Sequence, residues 1–207
     1  MKKCDFYIFP TLVDSFLWYQ KMQTPDKFQE VIDKINRIKY EMPEFVLKGS
    51  ALEDCVNLRL TGQRVYSKDG FDFNPDLIDK LASKLQNNTG QQVWIENTVD
   101  FKYGKLRVGG FVDYMYNDKH VDLKTTTRYK LGKYKDSQQS KCYGLIQPDK
   151  KEFIYLATDF ENYYIEPYKN KKENHEEFIF NCEELFIFVQ ENEHLITDLK
   201  IYGGSKK

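Results

Sequence analysis

A predicted β-hairpin near the middle of the chain constrains the fold more than any other feature. Residues 106–116 and 119–126 each alternate in the manner of a strand, and Asn117 and Asp118 separate them. Asn and Asp tolerate positive φ, so this dipeptide predicts a two-residue hairpin turn. The turn fixes the register of the two arms and therefore decides which side chains face each other.

This register places Asp113 opposite Asp122, with their Cβ atoms roughly 5 Å apart. Side chains alternate along a strand, so Lys124 shares a face with Asp122 and Leu123 points the other way. Like charges this close are destabilising unless a partner neutralises them, and a divalent cation is a common partner. The alternative is a solvated hairpin face. The opposite face is apolar, however, and favours packing against another element: Val112, Tyr114, Val121 and Leu123.

Length and composition narrow the class of protein. A chain of 207 residues suits one domain, and its net charge of −1 gives no overall reason to expect nucleic-acid or membrane binding. No apolar run approaches the roughly 20 residues of a membrane span, and the start lacks the apolar centre of a signal peptide. We therefore expect a cytoplasmic protein without a membrane partner. The cysteines show no CxxC pair and are expected to be reduced thiols: Cys4, Cys55, Cys142 and Cys182.

Hydrophobic periodicity predicts an α/β (α+β) fold with a central mixed β-sheet flanked by helices. We expect a single domain over residues 1–207, with a mainly helical part at 1–90 and the sheet with its flanking helices at 91–200. Predicted helices cover 11–22, 26–40, 43–60, 75–89, 136–146 and 181–197. Predicted strands cover 93–102, 105–116, 119–127, 152–158 and 162–168.

Two helices carry candidate site residues. Glu53 lies beside the buried stripe of the third helix, one turn after Gly49, and could reach a metal site; a surface glutamate is the alternative. Gln139 and Tyr143 share one face of the helix that follows the hairpin, although Tyr143 could belong to the core.

Local charge adds a further candidate. The segment between Lys124 and Lys141 is strongly basic and contains a single acid, Asp136. Such a stretch suits a phosphate backbone, and a solvated loop is the competing interpretation. Its basic residues are Lys124, Arg128, Lys130, Lys133, Lys135 and Lys141.

In chain order, the patterns Gly49-x-x-x-Glu53, Gly110-x-x-Asp113, Asp122-x-Lys124 and Gln139-x-x-x-Tyr143 resemble the PD-(D/E)XK nuclease superfamily. The resemblance spans residues 49–143 and is closest to the branch with RecB-type nuclease domains and phage lambda-type exonucleases. Val112 replaces the proline that names the superfamily, and Glu53 stands where many RecB-like members have histidine. The cysteines lack the grouping of the iron–sulfur members, so no such cluster is expected.

The resemblance implies a restriction-endonuclease-like core and a role for each matched residue. Asp113, Asp122, Glu53 and the Leu123 carbonyl would hold Mg²⁺, with Mn²⁺ as a substitute. The catalytic set would also include Lys124, which orients water or neutralises charge, Gln139, which holds Lys124 or the water, and Tyr143, which supports or contacts substrate. The DNA contacts would be Thr125, Thr126, Arg128, Lys130, Lys133 and Lys135.

The function implied is a Mg²⁺-dependent deoxyribonuclease, an exonuclease of phage or recombination type in a bacterial or phage-infected cell. DNA is the expected partner, and a single-strand annealing or recombination protein is a further candidate. One alternative is a structure-specific endonuclease of the same fold. Another is a non-catalytic DNA- or protein-binding protein that retains the fold.

Overall fold

The structure is a computed structural model that describes residues 4–198, with the backbone alone for residues 4 and 5. Its helices are α1 (Pro10–Met22), α2 (Pro25–Ile35), α3 (Glu44–Leu60), α4 (Pro75–Leu85), α5 (Gln138–Ile146) and α6 (Lys172–Glu191). Its strands are β1 (Cys4–Ile8), β2 (Ser67–Lys68), β3 (Phe71–Asp72), β4 (Gly90–Phe101), β5 (Gly104–Met115), β6 (Lys119–Thr125), β7 (Glu152–Thr158) and β8 (Tyr163–Lys169).

Strand β5 organises a six-stranded mixed sheet. One edge of β5 pairs with antiparallel β4 along its length. The other edge pairs with parallel β1 at residues 104–108 and with antiparallel β6 at residues 114–115. Strand β7 runs parallel to β6, and β8 runs antiparallel to β7. The predicted fold class, a central mixed sheet flanked by helices, is confirmed.

The predicted hairpin register is also confirmed. Tyr114 pairs with Val121 and Met115 pairs with His120, and the Tyr116 amide donates to the Lys119 carbonyl at 2.9 Å. The direct β5–β6 pairing covers only these residues. The strands therefore part just where the register brings the two aspartates opposite each other.

Helices pack on both faces of the sheet and form two cores. Along β7, Phe153 and Tyr155 belong to the core with α1, α2, α5 and α6. Leu156 belongs to the core with α3 and α4, and Ile154 packs against that core. Because neighbouring side chains of a strand point to opposite faces, the two cores lie on opposite sides of the sheet. Of the first four helices, α1 and α2 thus cover one face of the sheet, and α3 and α4 cover the other.

Several predicted elements and boundaries were wrong. Strands β1, β2 and β3 were not predicted, because each is at most five residues long and carries too little alternation to be recognised; all three lie in the part predicted as mainly helical. Helix α2 ends at Ile35 and not at residue 40, since Arg37 adopts a left-handed φ of 54°. Helix α6 begins at Lys172 and not at residue 181. The prediction missed its first turns because they are polar and the buried stripe starts only at Phe178.

Gly110 allows α5 to lie directly against β5. A Cβ at this position would come within 2.7 Å of Tyr143 Cε1. The Tyr143 hydroxyl donates to the carbonyl of Phe111 at 2.7 Å, and the ring is buried. This contact fixes α5 on the sheet and therefore fixes the position of Gln139, one turn earlier on the same helix.

We expect Gly110→Ala to lower the free energy of unfolding by about 1–3 kcal/mol, the usual effect of overpacking a core. The buried Tyr143 ring has no room to move away from the added methyl group. The measurement is chemical denaturation monitored by circular dichroism. Gly109→Ala is the matched control, because its methyl would meet the ring of Trp94, which borders solvent and is not enclosed by core side chains. Equal losses in both variants would contradict this account.

Candidate active site

Asp113 lies where β5 and β6 separate. Its Oδ2 accepts a hydrogen bond from the Leu123 amide nitrogen at 3.1 Å. A side chain thus contacts the β6 backbone just beyond the last paired residues of the two strands. The Asp113 carboxylate is consequently held in the gap between β5 and β6.

The strand is irregular at this point. Val112 belongs to the core of α1, α2, α5 and α6, whereas Tyr114 belongs to the core of α3 and α4. Regular alternation would put both residues on one face, so the prediction that Val112 shares a face with Tyr114 is wrong. Gln92, at the corresponding position on β4, has a left-handed φ of 48°. Such irregularities re-aim side chains and are frequent next to functional sites.

Gln92 joins two of the predicted site acids. Its Nε2 donates to Glu53 Oε1 at 2.8 Å and to Asp113 Oδ1 at 3.1 Å. These two oxygens are therefore at most about 6 Å apart. The structure thus places Glu53 beside Asp113, as the sequence predicted. Gln92 itself was not predicted, although a two-residue turn between β4 and β5, which pairs Phe101 with Gly104, would have placed it opposite Asp113.

Asp122 is buried between a lysine and a glutamine. Its Oδ1 accepts from Gln139 Nε2 at 2.5 Å. Its Oδ2 lies 2.7 Å from Lys124 Nζ, an ion pair that lacks the directional geometry of a hydrogen bond. Ser137 caps α5, and its side chain accepts a hydrogen bond from the main-chain amide of Gln139, which fixes the position of Gln139 in the first turn of the helix. Gln139 was predicted to hold Lys124 or a water; its partner here is Asp122.

Burial and like charge together perturb the site acids. Burial, followed by the charges of Asp122 and Glu53, raises the pKa of Asp113 to about 8. Burial also raises the pKa of Glu53. For Lys124, burial alone would lower the pKa, but the Asp122 carboxylate outweighs it and raises the pKa. The cluster therefore combines two acids that resist ionisation, Asp113 and Glu53, with a lysine that stays protonated.

A cleft of about 210 Å³ opens between α3 and β6 and leads to these groups. Glu53, Leu123, Lys124 and Thr125 line it. The two walls of the cleft approach closely at Gly49, which has no side chain. A Cβ at this position would come within 2.5 Å of Thr125 Oγ1. The Lys124 side chain is 34% exposed and can meet a molecule bound in the cleft.

The contacts of three predicted site residues bear on their roles. Tyr143 is buried and donates to a main-chain carbonyl, so it supports the site without contacting substrate. Thr126 is buried and its hydroxyl donates to the Arg128 carbonyl, which removes it from the predicted DNA contacts. The Lys133 ammonium donates to Thr126 Oγ1 and to the Arg128 carbonyl and so braces the segment.

The basic segment after β6 is anchored to the sheet. Tyr129 stacks on Tyr164 of β8 with ring centroids 3.8 Å apart. The Gly132 amide donates to Glu166 Oε1 at 3.0 Å. The segment exposes four cations, of which Lys133 is held by the hydrogen bonds described above: Arg128, Lys130, Lys133 and Lys135.

The described cysteines are divided between the two cores. Cys55 belongs to the core of α3 and α4, whereas Cys142 and Cys182 belong to the other core. Their thiols are buried and are not joined in disulfides. The Cys4 side chain lies outside the described part of the structure.

The described residues hold neither a preformed metal site nor a membrane-spanning helix. Among residues 4–198, no three side chains of Asp, Glu, His or Cys are placed together as ligands would be; the Gln92 amide lies between Glu53 and Asp113. None of the helices in this range combines the length and apolar composition that crossing a bilayer requires.

No protein-family model and no curated protein match the sequence. The chain is similar to a solved structure, the crystal structure of SSO0001, with a TM-score of 0.54 and 12% identity. The similarity covers 91% of this chain and 79% of that chain. At this level of identity the similarity concerns the fold alone.

Proposed function

We propose that this protein is a metal-dependent DNA nuclease that hydrolyses phosphodiester bonds. The observation that carries the proposal is the gathering of Glu53, Asp113, Asp122 and Lys124 at the opening between β5 and β6. Burying like charges costs stability. Perturbed titratable groups beside a cleft are typical of functional sites.

The donor set fits a hard divalent cation. Mg²⁺ and Mn²⁺ prefer carboxylate and carbonyl oxygens in near-octahedral geometry. Asp113, Asp122 and Glu53 would supply carboxylates, and the Leu123 carbonyl is a further candidate. Gln92 is exposed, so its side chain can rotate outward and release the two carboxylates that it now bridges.

The protein side chains would divide the remaining work. A bound Mg²⁺ would polarise the scissile phosphate and lower the pKa of a coordinated water. Lys124 would orient that water or neutralise charge that develops on the phosphate, because its ammonium reaches the cleft. Gln139 would hold Asp122 in place through its amide. Tyr143 and Gly110 would position α5 and thereby Gln139.

DNA is the proposed substrate, and the exposed cations after β6 support it. Arg128, Lys130 and Lys135 extend from the Lys124 strand on a segment held by Tyr129 and Gly132. Anchored cations lose little conformational freedom when they bind phosphates. We propose an exonuclease over a site-specific endonuclease, because all the major described elements build one sheet and its covering helices, with no separate recognition domain.

Mg²⁺ or Mn²⁺ should stabilise the protein against heat in a manner that depends on Asp122. At a free cation concentration a hundred times the dissociation constant, binding to the folded state should raise the free energy of unfolding by about 2.7 kcal/mol. For a domain of this size, each kcal/mol corresponds to roughly 2–4 °C in melting temperature. The measurement is differential scanning calorimetry in EDTA and in Mg²⁺, with the shift taken within each variant.

Asp122→Asn should lose this shift, whereas the control Asp118→Asn, at the exposed hairpin turn, should keep it. A shift of the same size in Asp122→Asn would remove Asp122 from the metal site.

Lys124→Ala should reduce cleavage by roughly 10²–10³-fold, the usual effect of losing one electrostatic stabiliser of a transition state. Folding and most of the DNA affinity should persist. Lys119→Ala, at the far end of the same strand, is the matched control and should cleave normally.

The assay for Lys124→Ala uses end-labelled linear DNA, blunt and tailed, beside a closed circle, with Mg²⁺ or EDTA. Release of label with an intact circle indicates an exonuclease, and a cut circle indicates the endonuclease alternative. Near-normal cleavage by Lys124→Ala would refute the role of Lys124, and no cleavage by the unmodified protein would refute the proposed function.

Neutralising Arg128, Lys130 and Lys135 together should weaken DNA binding and flatten its salt dependence. The slope of log affinity against log salt should fall by roughly 0.7–0.9 for each cation that no longer binds a phosphate. Binding is measured at several salt concentrations with the Lys124→Ala protein. Lys133 is left unchanged because it braces the segment.

The control for this titration replaces Lys39, Lys80 and Lys84, which are exposed elsewhere, with alanine and should leave the slope unchanged. An equal slope in both triple variants would mean that DNA follows another surface.

A further inference from the structure

Among residues 4–198, no helix covers one face of the sheet over part of β4 and β5. On β4 and β5, the side chains that point away from the core of α1, α2, α5 and α6 include Trp94 and Phe111. They are 41% and 54% exposed. Helices α3 and α4 cover the same face farther along, over β6 and β7. The site acids therefore lie at the border between the covered and the open part of this face.

Trp94 and Phe111 form a cross-strand aromatic pair on the open face. They are partners in the β4–β5 register, and their ring centroids are 4.9 Å apart at an interplanar angle of 64°. Gly109 provides room for the indole, since a Cβ there would come within 2.8 Å of Trp94 Cζ2. The indole nitrogen donates to Glu96 Oε2 at 3.1 Å. The two rings are thus held in place before any ligand arrives.

The aromatic pair adjoins the acid cluster. Trp94 follows Gln92 by two residues, and Phe111 precedes Asp113 by two residues. Two residues of an extended strand cover about 7 Å. A molecule with a phosphate at the acids and a flat apolar group one nucleotide away could contact both features at once.

The charges of the open face indicate how it would bind. Arg107 Nη2 lies 2.7 Å from Glu96 Oε2, and Lys105 Nζ lies 2.6 Å from Asp100 Oδ1. Because these bases are paired with acids, the described residues of the face carry no surplus charge to attract phosphates. The rings are its distinctive feature, and aromatic rings bind unpaired bases by stacking, which paired bases inside a duplex cannot offer.

We propose that Trp94 and Phe111 form a stacking platform for unpaired bases of a single-stranded nucleic acid, next to the phosphate held at Asp113. The proposal rests on the proposed function, which gives the platform its place beside a scissile phosphate. It adds a substrate class: a single strand, or a duplex end whose bases have separated.

Tryptophan fluorescence tests the platform directly. The full-length protein carries two substitutions. Lys124→Ala prevents cleavage, and Trp18→Phe removes the other tryptophan so that Trp94 alone contributes tryptophan fluorescence. In Mg²⁺, an oligothymidylate of roughly ten nucleotides, within the usual site size, should quench Trp94 fluorescence saturably. A blunt duplex of the same length should quench it far less. Equal quenching by both DNAs would overturn the preference for unpaired bases.

Affinity measurements by fluorescence anisotropy with labelled oligothymidylate identify the contribution of each ring. Trp94→Ala and Phe111→Ala should each weaken binding roughly 10- to 100-fold. Their salt slope should stay unchanged, because neither ring binds a phosphate. Phe180→Ala is the matched control: Phe180 is 58% exposed on α6, away from this face. Unchanged affinity in the two platform variants would overturn the proposal.

Failure of the platform and failure of the proposed nuclease function give different results. Quenching without cleavage by the unmodified protein would keep the platform and reject the nuclease. Cleavage that Trp94→Ala leaves unchanged on tailed DNA, without quenching, would keep the nuclease and reject the platform. Sedimentation that shows a dimer which Trp94→Ala abolishes would assign the face to a second copy of the chain and also reject the platform.

Discussion

The hydrogen bond from the Leu123 amide to the Asp113 carboxylate is the contact on which the site depends. It lies where the β5–β6 pairing stops, so the two strands part and a carboxylate fills the gap between them. Further along, β1 pairs with the same edge of β5. The opening lets side chains converge from opposite faces of the sheet: Glu53 from α3, and Gln139 from α5.

This arrangement opposes the stability of the fold. Burial and the neighbouring acids raise the pKa of Asp113 to about 8, and burial raises that of Glu53. Gln92 and Lys124 relieve part of the repulsion, the first by donating to Glu53 and Asp113, the second by pairing with Asp122. Such clusters are typical of functional sites. Under the proposed function, a cation with a phosphate ligand would interact with every charged group of this cluster.

Under the proposed function, three surfaces around the site would share the recognition of a nucleic acid. The cleft between α3 and β6 would admit a phosphate to Lys124. The anchored segment after β6 would contact the phosphate backbone through its cations, and the open face of β4 and β5 would contact bases through its rings. Because salt weakens charge interactions much more than stacking, salt dependence would separate these contributions in solution.

Local chemistry in the sequence determined the hairpin and its consequences. Neither Asn117 nor Asp118 adopts the positive φ expected of the turn. The turn nevertheless has the predicted length of two residues, and this length sets the register that brings Asp113 opposite Asp122. Helical periodicity likewise located α1, α3, α4 and α5 to within a few residues, because each buries a regular stripe. These features depend on neighbours in the chain and can be recognised without the rest of the fold.

Only the tertiary structure decided how distant segments meet. The bridge from Gln92 to Glu53 joins β4 to α3, the Tyr143 hydroxyl reaches a carbonyl on β5, and Lys133 turns back to Thr126. Strand β1 is recognisable chiefly from its pairing with β5. The irregularity at Asp113 also escaped the sequence pattern, since strict alternation assigns Val112 and Tyr114 to one face. These contacts are set by packing between elements far apart in the chain, and local propensity carries no information about that packing.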